Sequence, residues 1–155
     1  KTGLRPRELA SLAGELPQRP VAFGANCGVG PADILATLLD IAADDPEAAL
    51  VVKGSCGLPE RRGSELHYPA TPELMADYAR LAVDAGARIV GGCCGTSFAH
   101  LAAMRAALDT HERAARPRKE EVIARLGPLH GRGTGEGANT VQATATSSAT
   151  APGRS

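Results

Sequence analysis

Apolar residues recur along this chain in two alternating rhythms, a three-to-four-residue spacing and short continuous runs. From Pro6 to Leu16, Leu9, Leu12 and Leu16 share one face and Pro6 suits a first turn, which predicts a helix. The run PVAFG at 20–24 ends in glycine and reads as a buried strand. Pro31 opens a second helix, with Ile34, Leu35, Leu38, Leu39 and Ala42 as its apolar stripe and Asp33, Asp40 and Asp44 off it. Ala49 to Lys53 is the next strand. Thr71 caps a third helix that starts at Pro72 and faces Leu74, Tyr78, Leu81 and Ala85 inward, with Gly86 as its C-terminal cap. Ala87 to Gly91 is a third strand. Ser97 caps a helix running to about Thr110, with Leu101, Met104 and Leu108 as its expected buried face. Val122 to Leu129 adds a short helix.

The order α-βα-βα-βα predicts an α/β fold around a parallel sheet. Composition refines this picture. Tryptophan is absent and aromatic residues make up 3% of the chain, so Ala, Leu, Val and Ile must build the core. Three regions are expected: an ordered domain over 1–111, a mixed-charge linker or short helix over 112–130, and a disordered tail over 131–155. The tail is Gly, Thr, Ala and Ser with almost no large apolar residue, too little to offset chain entropy. The stretch HERAARPRKEE reads as solvated because its charges are mixed.

Net charge is zero, which argues against a nucleic-acid or anionic-membrane partner recruited by bulk electrostatics. No apolar run approaches the ~20 residues of a membrane span. The start, KTGLRPREL, lacks the apolar segment of an export signal, so a cytoplasmic location and reduced thiols are expected. Lys1 in place of Met suggests a piece of a longer protein.

The four cysteines carry the candidate chemistry. Cys27 lies in FGANCG, Cys56 in GSCG, and Cys93 and Cys94 in VGGCCGT. Each lies where a predicted strand runs out, and parallel α/β folds gather their chemistry at the carboxyl ends of strands. Three thiolates there suit a catalytic Zn²⁺, which takes tetrahedral ligands and keeps one position open. Such a centre lowers the pKa of a substrate thiol and presents it as a nucleophile. Simple packing of buried cysteines is the plain alternative. A vicinal disulfide between Cys93 and Cys94 is strained. In a regular strand these neighbours point to opposite faces, so both reach one metal only where the backbone bends, as Gly91, Gly92 and Gly95 allow. Other features are weaker. Gly28-Val29-Gly30 precedes a helix like a phosphate cradle, but Asp33 stands where a third glycine would be. His67, His100, His111 and His130 form no metal-binding spacing and read as solvated. Lys53 could face the rim.

The segments GANCGVGP, VVKGSCGLPE and HYPATPELMADYARLAVDAGARIVGGCCGT resemble the C-terminal half of the homocysteine S-methyltransferase domain, akin to betaine- and S-methylmethionine-dependent enzymes. The resemblance covers about residues 2 to 110. It implies the C-terminal portion, about three βα units, of a (β/α)₈ TIM barrel. It implies zinc held by Cys27, Cys93 and Cys94, and transfer of a methyl group from a small donor to the homocysteine thiol, giving methionine. A stand-alone enzyme without a folate- or cobalamin-binding region is expected, and with it a small sulfonium or ammonium donor. Where the family pattern runs K-x-N-A-G-L-P, this chain has Lys53-Gly54-Ser55-Cys56-Gly57-Leu58-Pro59, so Cys56 is not an implied ligand. Phe98 stands in place of a frequent Pro. The acidic residues that hold the acceptor's amino group have no counterpart. The chain alone is therefore expected to lack turnover, and the missing N-terminal half-barrel becomes an expected partner. The alternative is a non-catalytic, zinc-binding remnant of the domain.

Overall fold

The computed structural model describes residues 5–130 and has the expected α/β alternation. The elements in chain order are α1 (Pro6–Glu15), β1 (Phe23–Cys27), α2 (Pro31–Asp44), β2 (Leu50–Gly54), β3 (Glu60–Arg62), β4 (Glu65–His67), α3 (Pro72–Ala85), β5 (Ala87–Gly92), α4 (Phe98–Asp109) and α5 (Lys119–Leu126). The tail predicted over 131–155 lies outside the described residues.

Strands β1, β2 and β5 form one parallel sheet in that order, with Cys27 paired to Gly54 and Gly54 to Gly92 at its carboxyl end. Helices α2 and α3 lie against the face that carries Leu50, Val52 and Gly54. Leu35, Leu38, Ile41, Leu50, Val52, Tyr78 and Leu81 are fully buried there. The helix stops follow local chemistry. Thr71 accepts from the Leu74 amide at 3.3 Å at the start of α3, and Gly86 ends that helix at φ 116. Registry places Gly24, Asn26, Val51, Lys53, Ile89 and Gly91 on the opposite face. Asn26 and Lys53 are exposed there and Ile89 is 53% exposed, so nothing among the described residues covers that face. Parallel sheets are ordinarily covered on both sides.

Four expectations change. The first strand begins at Phe23, three residues after Pro20. Pro20 has no amide for the ladder, whose first bond is Phe23 N–H to Ala49 O at 3.2 Å. Gly24 is an interior position rather than a stop, since a Cβ there would stand 1.9 Å from the Val51 oxygen.

The loop before α3 contains an antiparallel hairpin, β3 with β4, turned at Gly63 with φ 64. Its flanks are charged and exposed, so no apolar alternation marked it.

On α4 the buried residues are Met104 and Ala107, whereas Leu101 is 49% exposed. Met104 is buried as expected and Leu108 packs against the core; packing against α3 turns the stripe toward Ala107 and leaves Leu101 out.

The charged stretch packs back onto the domain. Asp84, 8% exposed, accepts from the Ala114 amide and from His111 Nε2, both at 2.8 Å. Arg116 donates to Ala42 O at 3.0 Å, Lys119 meets Asp40 at 2.8 Å, and Arg125 meets Asp77 at 3.0 Å. Pro117, Val122 and Leu126 are buried beneath these links. His111 is therefore not solvated. A buried carboxylate needs such partners, and the stretch supplies two of them.

Candidate metal centre

The carboxyl end of the parallel sheet brings three of the four cysteines together. The ligand atoms of Cys27, Cys93 and Cys94 lie within 4.8 Å of one another. The Cys27 and Cys94 sulfurs are 3.6 Å apart, and those of Cys93 and Cys94 are 4.0 Å apart. Tetrahedral Zn–S bonds of about 2.3 Å would put sulfurs about 3.8 Å apart. The thiol set thus fits a soft divalent cation. Cys94 is exposed and the other two are half-buried, so the cluster opens to solvent on one side.

Local backbone explains the convergence. Cys27 has φ 71, the one non-glycine residue with positive φ among the described residues. Such a conformation costs about 1–2 kcal/mol in an L-residue, and it turns the chain sharply after Asn26. Strand β5 ends at Gly92, so Cys93 and Cys94 lie in a turn rather than a strand. The Thr96 amide closes that turn on Cys93 O at 3.2 Å, with Gly95 at φ 77 in its third position, as a type II turn requires. The alternation that would send adjacent side chains apart therefore does not apply. A Cβ at Gly95 would stand 2.3 Å from the Tyr68 ring, so only glycine fits.

The thiols share protons. Hydrogen bonding to Cys94, then to Cys93, pushes Cys27 up to about 11. Cys93 is drawn below its ordinary value, chiefly by its hydrogen bond with Cys27, and the Asn26 side chain adds a smaller contribution in the same direction. A dication at the centre would replace these shared protons.

Cys56 is outside the cluster. It is fully buried, its thiol lies 3.6 Å from the Thr96 hydroxyl, and burial raises its pKa. Its amide donates to Cys94 O at 2.9 Å and its carbonyl accepts from Ala70 N at 3.0 Å, so it braces the ligand turn from behind. Ser55, the other departure from the family pattern, donates its hydroxyl to Gly28 O at 3.1 Å and its amide to Cys27 O at 3.3 Å. Both residues hold loops that carry ligands, a role that needs the third dimension to be seen.

The remaining candidates do other work. His100 receives the Ser97 amide on Nδ1 at 3.1 Å and reaches Ala70 O through Nε2 at 3.0 Å, tying α4 to the loop before α3. His67 is exposed on β4. His130 donates its amide to Asp33 at 2.9 Å. Gly30 borders a cavity of about 390 Å³ that Cys56, Leu58 and Leu126 also line. Asp33 lines it as well, and its negative charge stands at the helix start where a phosphate would have to bind. Lys53 lies on the uncovered sheet face, its Cγ 3.2 Å from where a Cβ on Gly91 would stand.

The domain is thus a parallel α/β fold with three thiols converging at its strand ends. The family profile described as homocysteine S-methyltransferase matches residues 1–108, and the chain belongs to that family. It is 32% identical over 87 residues to the methionine synthase of Mycobacterium tuberculosis (strain ATCC 25618 / H37Rv), covering 56% of this chain and 7% of that protein. It is 31% identical over 100 residues to the methionine synthase of Mycobacterium leprae (strain TN), covering 64% and 8% respectively. The chain spans less than a tenth of the curated relatives it matches. Among the described residues no helix is long and apolar enough to cross a membrane.

Proposed function

We propose that this chain is the zinc-holding part of a methyltransferase domain that methylates the thiol of homocysteine to give methionine. The observation that carries the reading is the convergence of Cys27, Cys93 and Cys94 to within 4.8 Å in a chain of this family. The relatives' name, methionine synthase, supports methionine as product. Family membership favours this reading over a non-catalytic remnant.

Cys27, Cys93 and Cys94 hold the metal, and the exposed side of Cys94 leaves room for the acceptor sulfur. Bound zinc supplies a Lewis acid that lowers the pKa of a thiol taken as fourth ligand. With zinc bound, three thiolate ligands would leave the centre anionic and favour methyl transfer to the acceptor sulfur, the donor departing with the electron pair of its bond to the methyl group. The Asn26 side chain, which helps draw the Cys93 thiol down, would moderate that charge.

Registry puts Asn26 and Lys53 side by side on the uncovered sheet face. In a (β/α)₈ barrel that face lines the interior, and the three strands in chain order are the arrangement such a barrel needs. The acceptor's amino and carboxylate ends need walls from strands on the other side. The 155-residue chain is therefore expected to bind zinc, to hold the acceptor weakly and not to turn it over.

Metal analysis and cobalt substitution test this. About one zinc per chain is expected, and homocysteine should perturb the thiolate–cobalt bands of the substituted protein. A purified chain that takes up neither metal would overturn the reading.

A further inference from the structure

We propose that Tyr78 is a positioning residue for the Cys93–Cys94 pair, setting how β2 and β5 separate where the ligand turn begins; this rests on the metal reading above. In a parallel ladder with Gly54 opposite Gly92, the Gly54 N–H is directed at the carbonyl of Gly91. The Tyr78 phenol stands at that junction. Its oxygen accepts from the Gly54 amide at 2.8 Å and donates to the Gly91 carbonyl at 3.3 Å. Immediately beyond it the main-chain ladder continues, with Cys93 N–H to Gly54 O at 2.8 Å.

The bridge is built, not incidental. Tyr78 is fully buried on α3 in a chain with two tyrosines and no tryptophan. Its ring rests on Gly54 so closely that a Cβ there would stand 3.0 Å from Cζ. A leucine or phenylalanine at 78 would fill the same core volume without a hydroxyl. A buried phenol needs hydrogen-bond partners, and both of these belong to the strands that deliver the ligands.

The reason lies in the Gly91-Gly92 dipeptide. Without side chains, it has no packing of its own to set its path into Cys93. Holding the Gly91 carbonyl fixes the peptide plane that enters Gly92, leaving only the φ and ψ of Gly92 before the peptide that leads into Cys93. Tyr78 thus supplies from α3 the backbone direction that the glycines leave open, while the glycines leave room for the turn.

Cobalt binding to the full chain is the test, with Tyr78→Phe compared against Leu81→Val, a core change on the same helix away from the strand ends. Tyr78→Phe should weaken cobalt affinity by about ten-fold or more, within the range of outer-shell changes, and alter the thiolate–cobalt charge-transfer bands. Leu81→Val should lower thermal stability and leave affinity and bands as in the wild type. Wild-type affinity and bands in Tyr78→Phe would overturn the proposal, and so would losses in both variants that simply follow stability. If Tyr78→Phe does not fold, amide exchange of the wild-type chain decides. Metal should slow the Gly54 amide more than that of Leu50 at the other end of β2, and equal slowing overturns the idea. A wild-type chain that takes up no cobalt defeats the metal reading itself, and this inference with it. Normal wild-type uptake with an unaffected Tyr78→Phe defeats the positioning role alone.

Discussion

Cys27 and Cys94 bring their sulfurs to 3.6 Å from opposite edges of the three-stranded sheet, one from the end of β1 and one from the turn after β5. The contact needs a left-handed residue on one side and a turn on the other. Neither strand could provide it with regular geometry.

Ligand identity is separable from burial. Cys27→Ala and Cys94→Ala should each abolish tight zinc binding, measured by metal content after gel filtration. Cys56→Ala should retain zinc and lose about 1 kcal/mol of stability through the small cavity it leaves. Zinc retained in both of the first two variants would sink the ligand assignment.

Strain at Cys27 predicts an unusual pairing of effects. Cys27→Gly removes about 1–2 kcal/mol of left-handed strain and adds about 0.5–1 kcal/mol of unfolded-state entropy. Denaturant melts of the metal-free chain should therefore show anything from no change to a gain of about 1.5 kcal/mol. Metal affinity should nonetheless be lost. A large destabilisation without metal would show that the thiol itself packs the fold.

Chelation should detach metal from fold. The fully buried residues Leu35, Leu38, Ile41 and Leu81 lie in the helix layer, away from the thiols. Removing zinc should leave the far-ultraviolet dichroism nearly intact and lower the melting temperature, because a ligand of the native state stabilises it by mass action. Wholesale loss of helix on chelation would contradict this.

Asp84 should report on the returning C-terminal stretch. Asp84→Ala deletes acceptors for His111 and the Ala114 amide and should cost about 2–3 kcal/mol. Proteolysis within residues 112–118 should rise, while zinc affinity stays near wild type. Unchanged proteolysis would mean that the stretch is held mainly by Pro117, Val122 and Leu126.

The uncovered sheet face should be adhesive. Ile89 is 53% exposed on its edge strand β5, and an unpaired parallel edge with an exposed apolar side chain invites association. Ile89→Lys should reduce self-association in sedimentation experiments and change the monomer's stability by no more than about 1 kcal/mol.

Much of this was legible in one dimension. The helical stripe from Ile34 to Ala42, the Thr71 cap and the Gly86 stop are local signals, and the structure shows each of them. Strand-end Cys-Gly contexts marked four cysteines, and only the family resemblance narrowed them to Cys27, Cys93 and Cys94. The hairpin at Glu60–His67 was hidden by its charged flanks. On α4, Met104 and Leu108 face the core as their spacing suggests, whereas Leu101 does not, because leucine spacing says nothing about which neighbour the helix will meet.

By itself, the sequence determined the alternation of helix and strand and which cysteines stand at strand ends, because periodicity, caps and glycine stops act over a few residues. Only the tertiary structure decided that Cys27 would turn left-handed and that Cys93 and Cys94 would share a turn. It alone placed Cys56 behind the cluster, docked the charged stretch on Asp84, and set Tyr78 between Gly54 and Gly91. Those outcomes depend on contacts between residues 13 to 67 positions apart. Glycine-rich loops leave the backbone free to take many paths, and packing against distant elements selects one.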